Sequence, residues 1–312
     1  MHSDSARPGR DRFPFVLLDG GTGRELARMG APFRQPEWSA LALIEAPECV
    51  TRVHEAYARA GADVVTANSY AVVPFHLGAE RFATRGADLA GLAGRLAREV
   101  ADRHPGLRVA GSLPPPCGSY RADLFDRAAA RPILDTLIRA LRPWVDHWQA
   151  ETLSAIEEAE LVRERLGDDP KPLWLSFTLR DEDATPGNPR LRSGQALVDA
   201  ADAAIALQAA ALLLNCSQPE VMGDAVDTLR ERLRARGVAL PIGVYANAFP
   251  PQPEDAKAND GLDEIRADLT PRGYLDWARD WHRRGADIIG GCCGIGPEHI
   301  AALREAFAPA TP

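Results

Sequence analysis

The sequence predicts an α/β protein folded as a single (β/α)8 TIM barrel. Short apolar runs recur along the 312 residues, each followed by a polar turn and then a stretch with helical spacing, and eight such alternations fit the chain. No Gly-x-Gly-x-x-Gly follows the first run, which leaves a doubly wound open sheet as the runner-up. The residues of unusual chemistry fall just after the apolar runs, where a barrel gathers its active site at the C-terminal ends of the strands.

The strand candidates are residues 15–19, 63–68, 107–112, 145–151, 173–178, 211–215, 242–246 and 287–290. The fourth, VDHWQAE, is weak as a strand by itself and is accepted because the spacing demands an element there. Helical spacing marks 47–60, 88–103, 133–144, 193–208, 222–236, 271–284 and 297–307. Thr270-Pro271 and Gly296-Pro297 read as helix starts, because proline at the first helical position loses no needed hydrogen bond. Residues 201–214 form the longest apolar stretch, but Asp202 and Gln208 interrupt it, so it reads as helix, turn and strand. Residues 1–312 are expected to form one domain, with 1–13 a flexible tail. Two long connections, 178–193 and 248–270, have the length of functional lids.

Composition narrows the function. A net charge of −8, from 44 acidic and 36 basic residues, repels a phosphate backbone, so nucleic acid is not an expected partner. No apolar run reaches the roughly 18 residues of a membrane helix, and 1–12 lacks the apolar core of a secretory signal. Five cysteines, two of them adjacent, do not make a disulfide framework and fit a reducing, cytoplasmic setting.

Cys216 follows the sixth run, and Cys292 and Cys293 follow the eighth among glycines. Adjacent cysteines face one ion only where the chain bends, and Gly290, Gly291 and Gly294 permit the unusual φ such a bend needs. At the mouth of a barrel the three sulfurs can converge. Three thiolates and an open position make a plausible catalytic zinc site. A free thiol, with a pKa of roughly 8.5, is a poor nucleophile at neutral pH, and a zinc-bound one is deprotonated. Such a site therefore suits a thiol substrate. Cys49 and Cys117 read as small core residues.

The motifs LLDGGTGREL, WSALALIEAPE, TANSY, AETL, WLSFTLRDED, LLNCSQPE and IIGGCCGIGPEHI together resemble the homocysteine S-methyltransferase family, in order, over residues 15–307. The resemblance implies a zinc-containing barrel that methylates homocysteine to methionine. It makes Cys216, Cys292 and Cys293 the metal ligands and Asp19, Gly20 and Gly21 the turn lining the homocysteine pocket. It makes Glu151 the carboxylate for the substrate's amino group, with Asn215 supporting the pocket or capping the next helix. Glu157, Glu158 and Glu160 read as solvated helix-start acids.

Asn68 and Tyr70, after the second run, are further substrate-contact candidates, and Trp38 aligns with a donor-site aromatic able to face an onium group. Thr152 after Glu151 departs from the betaine-using branch, so the pattern is nearer the branch using S-methylmethionine or S-adenosylmethionine. The stretches 111–118 and 245–250 depart from the family's pattern at the rim and leave the donor open. Alternatives are another thiol or selenol acceptor, a betaine-like donor, or a non-catalytic zinc- or thiol-binding barrel.

Overall fold

The computed structural model describes residues 13–181, 186–251 and 264–308. Eight strands run through it: β1 (Val16–Leu17), β2 (Val64–Thr66), β3 (Arg108–Leu113), β4 (His147–Leu153), β5 (Leu173–Phe177), β6 (Ala211–Asn215), β7 (Ile242–Tyr245) and β8 (Ile288–Ile289). Each of the eight predicted runs overlaps one, with β3 and β4 reaching one and two residues beyond theirs. They pair in parallel in the order β1-β8-β7-β6-β5-β4-β3-β2. The ring closes between β1 and β2 through a parallel bridge from Leu18 to Val64. Two backbone bonds complete that seam: Asp63 N–H to the Leu17 carbonyl at 2.7 Å and Asp19 N–H to the Val64 carbonyl at 3.0 Å.

Helices α1 (Thr22–Arg28), α2 (Ala40–Glu45), α3 (Pro47–Arg59), α4 (Pro74–Leu77), α5 (Ala79–Ala101) and α6 (Arg127–Leu141) cover the first half of the ring. The second half carries α7 (Ile156–Leu166), α8 (Leu197–Ala206), α9 (Pro219–Ala235), α10 (Pro271–Arg284) and α11 (Pro297–Phe307). The main apolar core lies between sheet and helices. A smaller cluster, including Leu18, Val64, Ala110, Trp174, Leu213 and Ile288, fills the lumen. Strands buried on both faces carry the continuous apolar runs by which they were recognised. β4 is the exception, fully buried yet with alternate residues His147, Gln149 and Glu151 polar. Its register with Ala110 and Trp174 turns those residues into the lumen, which is why its apolar pattern is weak.

Helix boundaries differ where packing does not dictate the sequence. α5 starts nine residues before the predicted 88, because its first two turns are mostly exposed and carry no apolar stripe. α6 starts at Arg127, where the Asp126 carboxylate accepts from the N–H groups of Ala128 and Ala129 at 2.8 and 3.3 Å. α7 begins where Glu157, Glu158 and Glu160 read as a helix start, but Glu158 is not solvated. It is 3% exposed, and its carboxylate caps the N–H groups of Ser154 and Ala155. Burial raises its pKa to about 7 against the pull of those two bonds.

Of the two predicted lids, 182–185 and 252–263 lie outside the described residues, as does 1–12 of the predicted tail. The described part of the first lid folds back on itself, with Leu179 bridging Leu191 and a buried Arg192–Asp181 ion pair at 3.1 Å. Among the described residues no helix is long and apolar enough to cross a membrane.

At the floor, the N-terminal end of the barrel, one device recurs three times. Asp63, Asp146 and Asp287 each stand just before a strand, and each carboxylate accepts a backbone N–H of the neighbouring strand. The partners are Leu17 at 2.8 Å, Val109 at 2.7 Å and Ile242 at 3.2 Å. An arginine from the helical layer pairs with each: Arg304, Arg98 and Arg230 respectively. Asp63 ties the closing seam. Asp63→Ala is therefore expected to lower the unfolding free energy by about 1–3 kcal/mol, read as a reduced urea midpoint, because a backbone N–H loses its charged acceptor.

Candidate metal centre and substrate pocket

Cys216 stands directly after β6, with φ at +54°, a left-handed conformation uncommon outside glycine. Its N–H bonds the Tyr245 carbonyl at 3.3 Å, which ties the turn to β7. Cys292 and Cys293 follow β8. The three sulfurs lie within 4.8 Å of one another, with those of Cys216 and Cys292 2.8 Å apart. Tetrahedral zinc with Zn–S near 2.3 Å sets sulfurs about 3.8 Å apart, so the donor set fits, with Cys216 and Cys292 opening by about 1 Å. Hydrogen bonds from Cys216 and Cys292 hold the Cys293 thiol well below the usual cysteine range, so the cluster favours a thiolate.

The bend at the paired cysteines has a different origin from the one expected. Only Gly294 takes a left-handed φ, +85°; Gly290 and Gly291 do not. Those two are glycine because nothing larger fits: a Cβ would stand 2.5 Å from Leu18 Cβ and 2.2 Å from Ile295 Cγ2 respectively. The turn after β1 meets this loop the same way. A Cβ on Gly20 would lie 2.2 Å from the Ile295 carbonyl oxygen, and one on Gly21 2.6 Å from that of Cys292. Two backbones thus interlock, and Gly21 N–H bonds the Ile295 carbonyl at 3.0 Å. Two buried tyrosines brace them, Tyr57 donating to Ile295 O at 3.1 Å and Tyr274 to Gly290 O at 2.6 Å.

Glu151 is 8% exposed, and its hydrogen-bond donors are neutral: Ser112 to Oε1 at 2.5 Å, and Tyr245 and Gln149 to Oε2 at 3.3 and 3.4 Å. Among the described residues no arginine or lysine forms an ion pair with it. Burial raises its pKa, those three donors oppose the rise, and the Cys293 thiolate adds to it. Asp19 also faces inward, bound to Thr66 through N–H at 2.7 Å and hydroxyl at 3.0 Å. Burial lifts its pKa to about 7, with Glu151 contributing. Among the described residues no cation acts on these two acids, whereas the charge of Arg24 helps to hold the Cys293 thiol low.

Asn215 caps no helix. Its Oδ1 accepts from Thr152 N–H at 2.9 Å and Ser176 Oγ at 2.7 Å, and its Nδ2 donates to Thr152 Oγ1 at 2.9 Å. It locks the backbone beside Glu151 to the residue before Cys216. Asn68 reaches the Ser39 carbonyl at 3.0 Å, and Tyr70 bonds Ser119 at 2.5 Å. Trp38, with φ +48°, packs edge-on to Phe33 at 5.6 Å. Cys49 is buried on α3 and Cys117 half-buried beside the core. Sequence reasoning did not single out Ser112, Gln149, Tyr245 or Tyr120. The first three converge on Glu151 from β3, β4 and β7, a juxtaposition set by register. Tyr120, at φ +66°, lies under the Arg192 guanidinium at 5.1 Å.

A closed parallel barrel with three cysteine sulfurs gathered at its C-terminal mouth defines a barrel enzyme equipped for thiolate–metal chemistry. Residues 16–307 match the family model of homocysteine S-methyltransferase, and the chain belongs to that family of methyltransferases. It is 32% identical to the homocysteine S-methyltransferase of Escherichia coli (strain K12), covering 94% of this chain and 96% of that one. It is 30% identical to homocysteine S-methyltransferase YbgG of Bacillus subtilis (strain 168), covering 94% of each. The metallated form of the Escherichia coli homocysteine methyltransferase MmuM superposes with a TM-score of 0.71 at 29% identity, over 95% of this chain and 97% of that one.

Two outcomes follow from these contacts. Asn215→Ala strands the Thr152 N–H and is expected to cost about 1–3 kcal/mol in urea unfolding and to lower metal content. Asp19 has a folded pKa raised from 3.8 to about 7, so the stability it lends at low pH is lost as pH rises through that window. Asp19→Asn keeps the neutral form's shape. Its stability relative to the parent should therefore rise between about pH 4 and pH 7, measured by denaturant titration at several pH values.

Proposed function

We propose that this protein transfers a methyl group from a sulfonium donor, S-methylmethionine or S-adenosylmethionine, to the thiol of homocysteine, giving methionine. The observation that carries the reading is the convergence of Cys216, Cys292 and Cys293 beside the uncompensated carboxylate of Glu151, in a chain of this family. Cys216, Cys292 and Cys293 would hold Zn2+, which would supply the Lewis acidity that lowers the pKa of a substrate thiol. Sulfur donors from three residues select a thiophilic ion over Mg2+ or Ca2+.

The chain's own residues do the rest. Glu151 seats the ammonium group of homocysteine, which replaces the counter-charge that the fold does not provide. Ser112, Tyr245 and Gln149 fix its two oxygens. Asp19, tied to Thr66, and the Gly20-Gly21 turn form the adjoining wall. Trp38, Asn68 and Tyr70 stand on the donor side, where an aromatic face stabilises a sulfonium. The homocysteine sulfur attacks the donor's methyl carbon in line. A new S–CH3 bond forms as the old one breaks, and its electron pair stays on the departing, now neutral, sulfide. Holding both partners aligned lowers the barrier by several kcal/mol, roughly 7–11 at best.

Purified protein should contain about one zinc and form methionine from homocysteine with a sulfonium donor faster than with betaine. Cys292→Ser should lose both zinc and turnover. A zinc-free Cys292→Ser protein that remains fully active overturns the metal assignment, and a preference for betaine overturns the donor.

A further inference from the structure

Two left-handed residues flank the site: Thr152, directly after Glu151, at φ +60°, and Cys216, directly after Asn215, at φ +54°. For a β-branched residue such as Thr152 this conformation is a true outlier, and an outlier held in place points to function. The strand register shows what it accomplishes. Between the Ala150–Leu175 and Leu153–Phe177 pairs, β4 advances three residues while β5 advances two. The extra residue makes a bulge, which re-aims side chains beside active sites, and Glu151 lies within it.

One buried amide holds the bulge. Asn215 Oδ1 accepts the Thr152 N–H at 2.9 Å, and its Nδ2 donates to Thr152 Oγ1 at 2.9 Å. A main-chain N–H only donates, so the amide has one orientation, with its NH2 end on the hydroxyl. Ser176 Oγ donates to the same Oδ1 at 2.7 Å, which anchors the amide to β5. Asn215 and Ser176 are fully buried and Thr152 is 1% exposed. Glycine would adopt this φ at no steric cost, but it would leave the Asn215 Nδ2 without the hydroxyl.

Glu151 precedes one end of this clamp and Cys216 follows the other. The seat proposed for the substrate's ammonium group and one proposed metal ligand are therefore held at a set separation. Glu151 lies near enough to the sulfurs for the Cys293 thiolate to act on it. An acceptor bound at both ends has to span that separation. Homocysteine has two methylenes between its amino-bearing carbon and its sulfur, and cysteine has one.

We infer that the Thr152–Asn215 clamp is a ruler that selects the acceptor by chain length, with Thr152 a positioning residue that acts through Glu151. The inference rests on the roles proposed for Glu151 and the three cysteines.

The test measures kcat/KM of the zinc-loaded enzyme for homocysteine and for cysteine with one sulfonium donor. A methylene in a fixed pocket is worth roughly 10–200-fold, and the parent should prefer homocysteine by a ratio in that range. Thr152→Val, which keeps the shape and loses the hydroxyl, should cut the ratio about tenfold through a higher KM for homocysteine. Thr152→Gly, which takes the left-handed conformation freely but has no hydroxyl, should cut it likewise, and Thr152→Ser should keep it. A parent ratio retained in both Thr152→Val and Thr152→Gly overturns the ruler, and so does a Thr152→Ser that behaves as Thr152→Val. Glu151→Gln, assayed on homocysteine and on 4-mercaptobutanoate (the same thiol without the amino group), keeps the two readings apart. If it collapses that preference while the Thr152 variants hold the homocysteine-to-cysteine ratio, the ruler fails and the role of Glu151 stands. If it leaves the preference intact, the ammonium seat falls and the ruler with it.

Discussion

The site depends on two backbones passing each other with no side chain between them. The turn after β1 and the loop after β8 meet through Gly20, Gly21, Gly290 and Gly291, and at all four positions a methyl group would collide with a neighbour. That closeness carries Cys292 and Cys293 across the mouth toward Cys216, which leans in from β6 on a left-handed residue. Tyr57 and Tyr274 pin the contact from behind with hydroxyl-to-carbonyl bonds. The thiolate cluster is thus set by main-chain packing, and the ring closure between β1 and β2 fixes one of its two partners.

Charge gives the mouth its second property. Asp19 and Glu151 are both buried, both raised in pKa by burial, and both held by neutral donors. A buried carboxylate without a counter-cation is costly in the free protein and becomes favourable when a cation arrives. Homocysteine brings an ammonium, and the proposed donors bring a sulfonium. On the proposed reading, what the interior omits is the charge that its ligands bring.

The barrel was legible because most of its buried strands carry largely apolar runs, and because its chemistry sits where those runs end. The three cysteines and Glu151 were readable as strand-end residues of unusual type. The reasons behind them were less so. Gly290 and Gly291 suggested a freedom of φ, and only their surroundings show that they mark close approach. Asn215 read as either a support of the pocket or a helix cap, and only the register of β4, β5 and β6 shows that it staples three strands. Ser112, Gln149 and Tyr245 carry no signal alone, since their meaning lies in which strands are neighbours. Helix starts at α5 and α6 were misplaced because exposed first turns need no apolar stripe.

The aspartates at the floor have a consequence for how this molecule can change. Asp63, Asp146 and Asp287 anchor three strand starts to their neighbours and to arginines of the outer helices, at the end of the barrel away from the cysteines. Cohesion is concentrated at one pole and chemistry at the other. Insertions and substitutions in the rim loops can then alter which donor is admitted without loosening the ring. Such a division makes the scaffold evolvable: rim loops beyond the strand ends can diverge while the anchored pole preserves the fold that brings three sulfurs together.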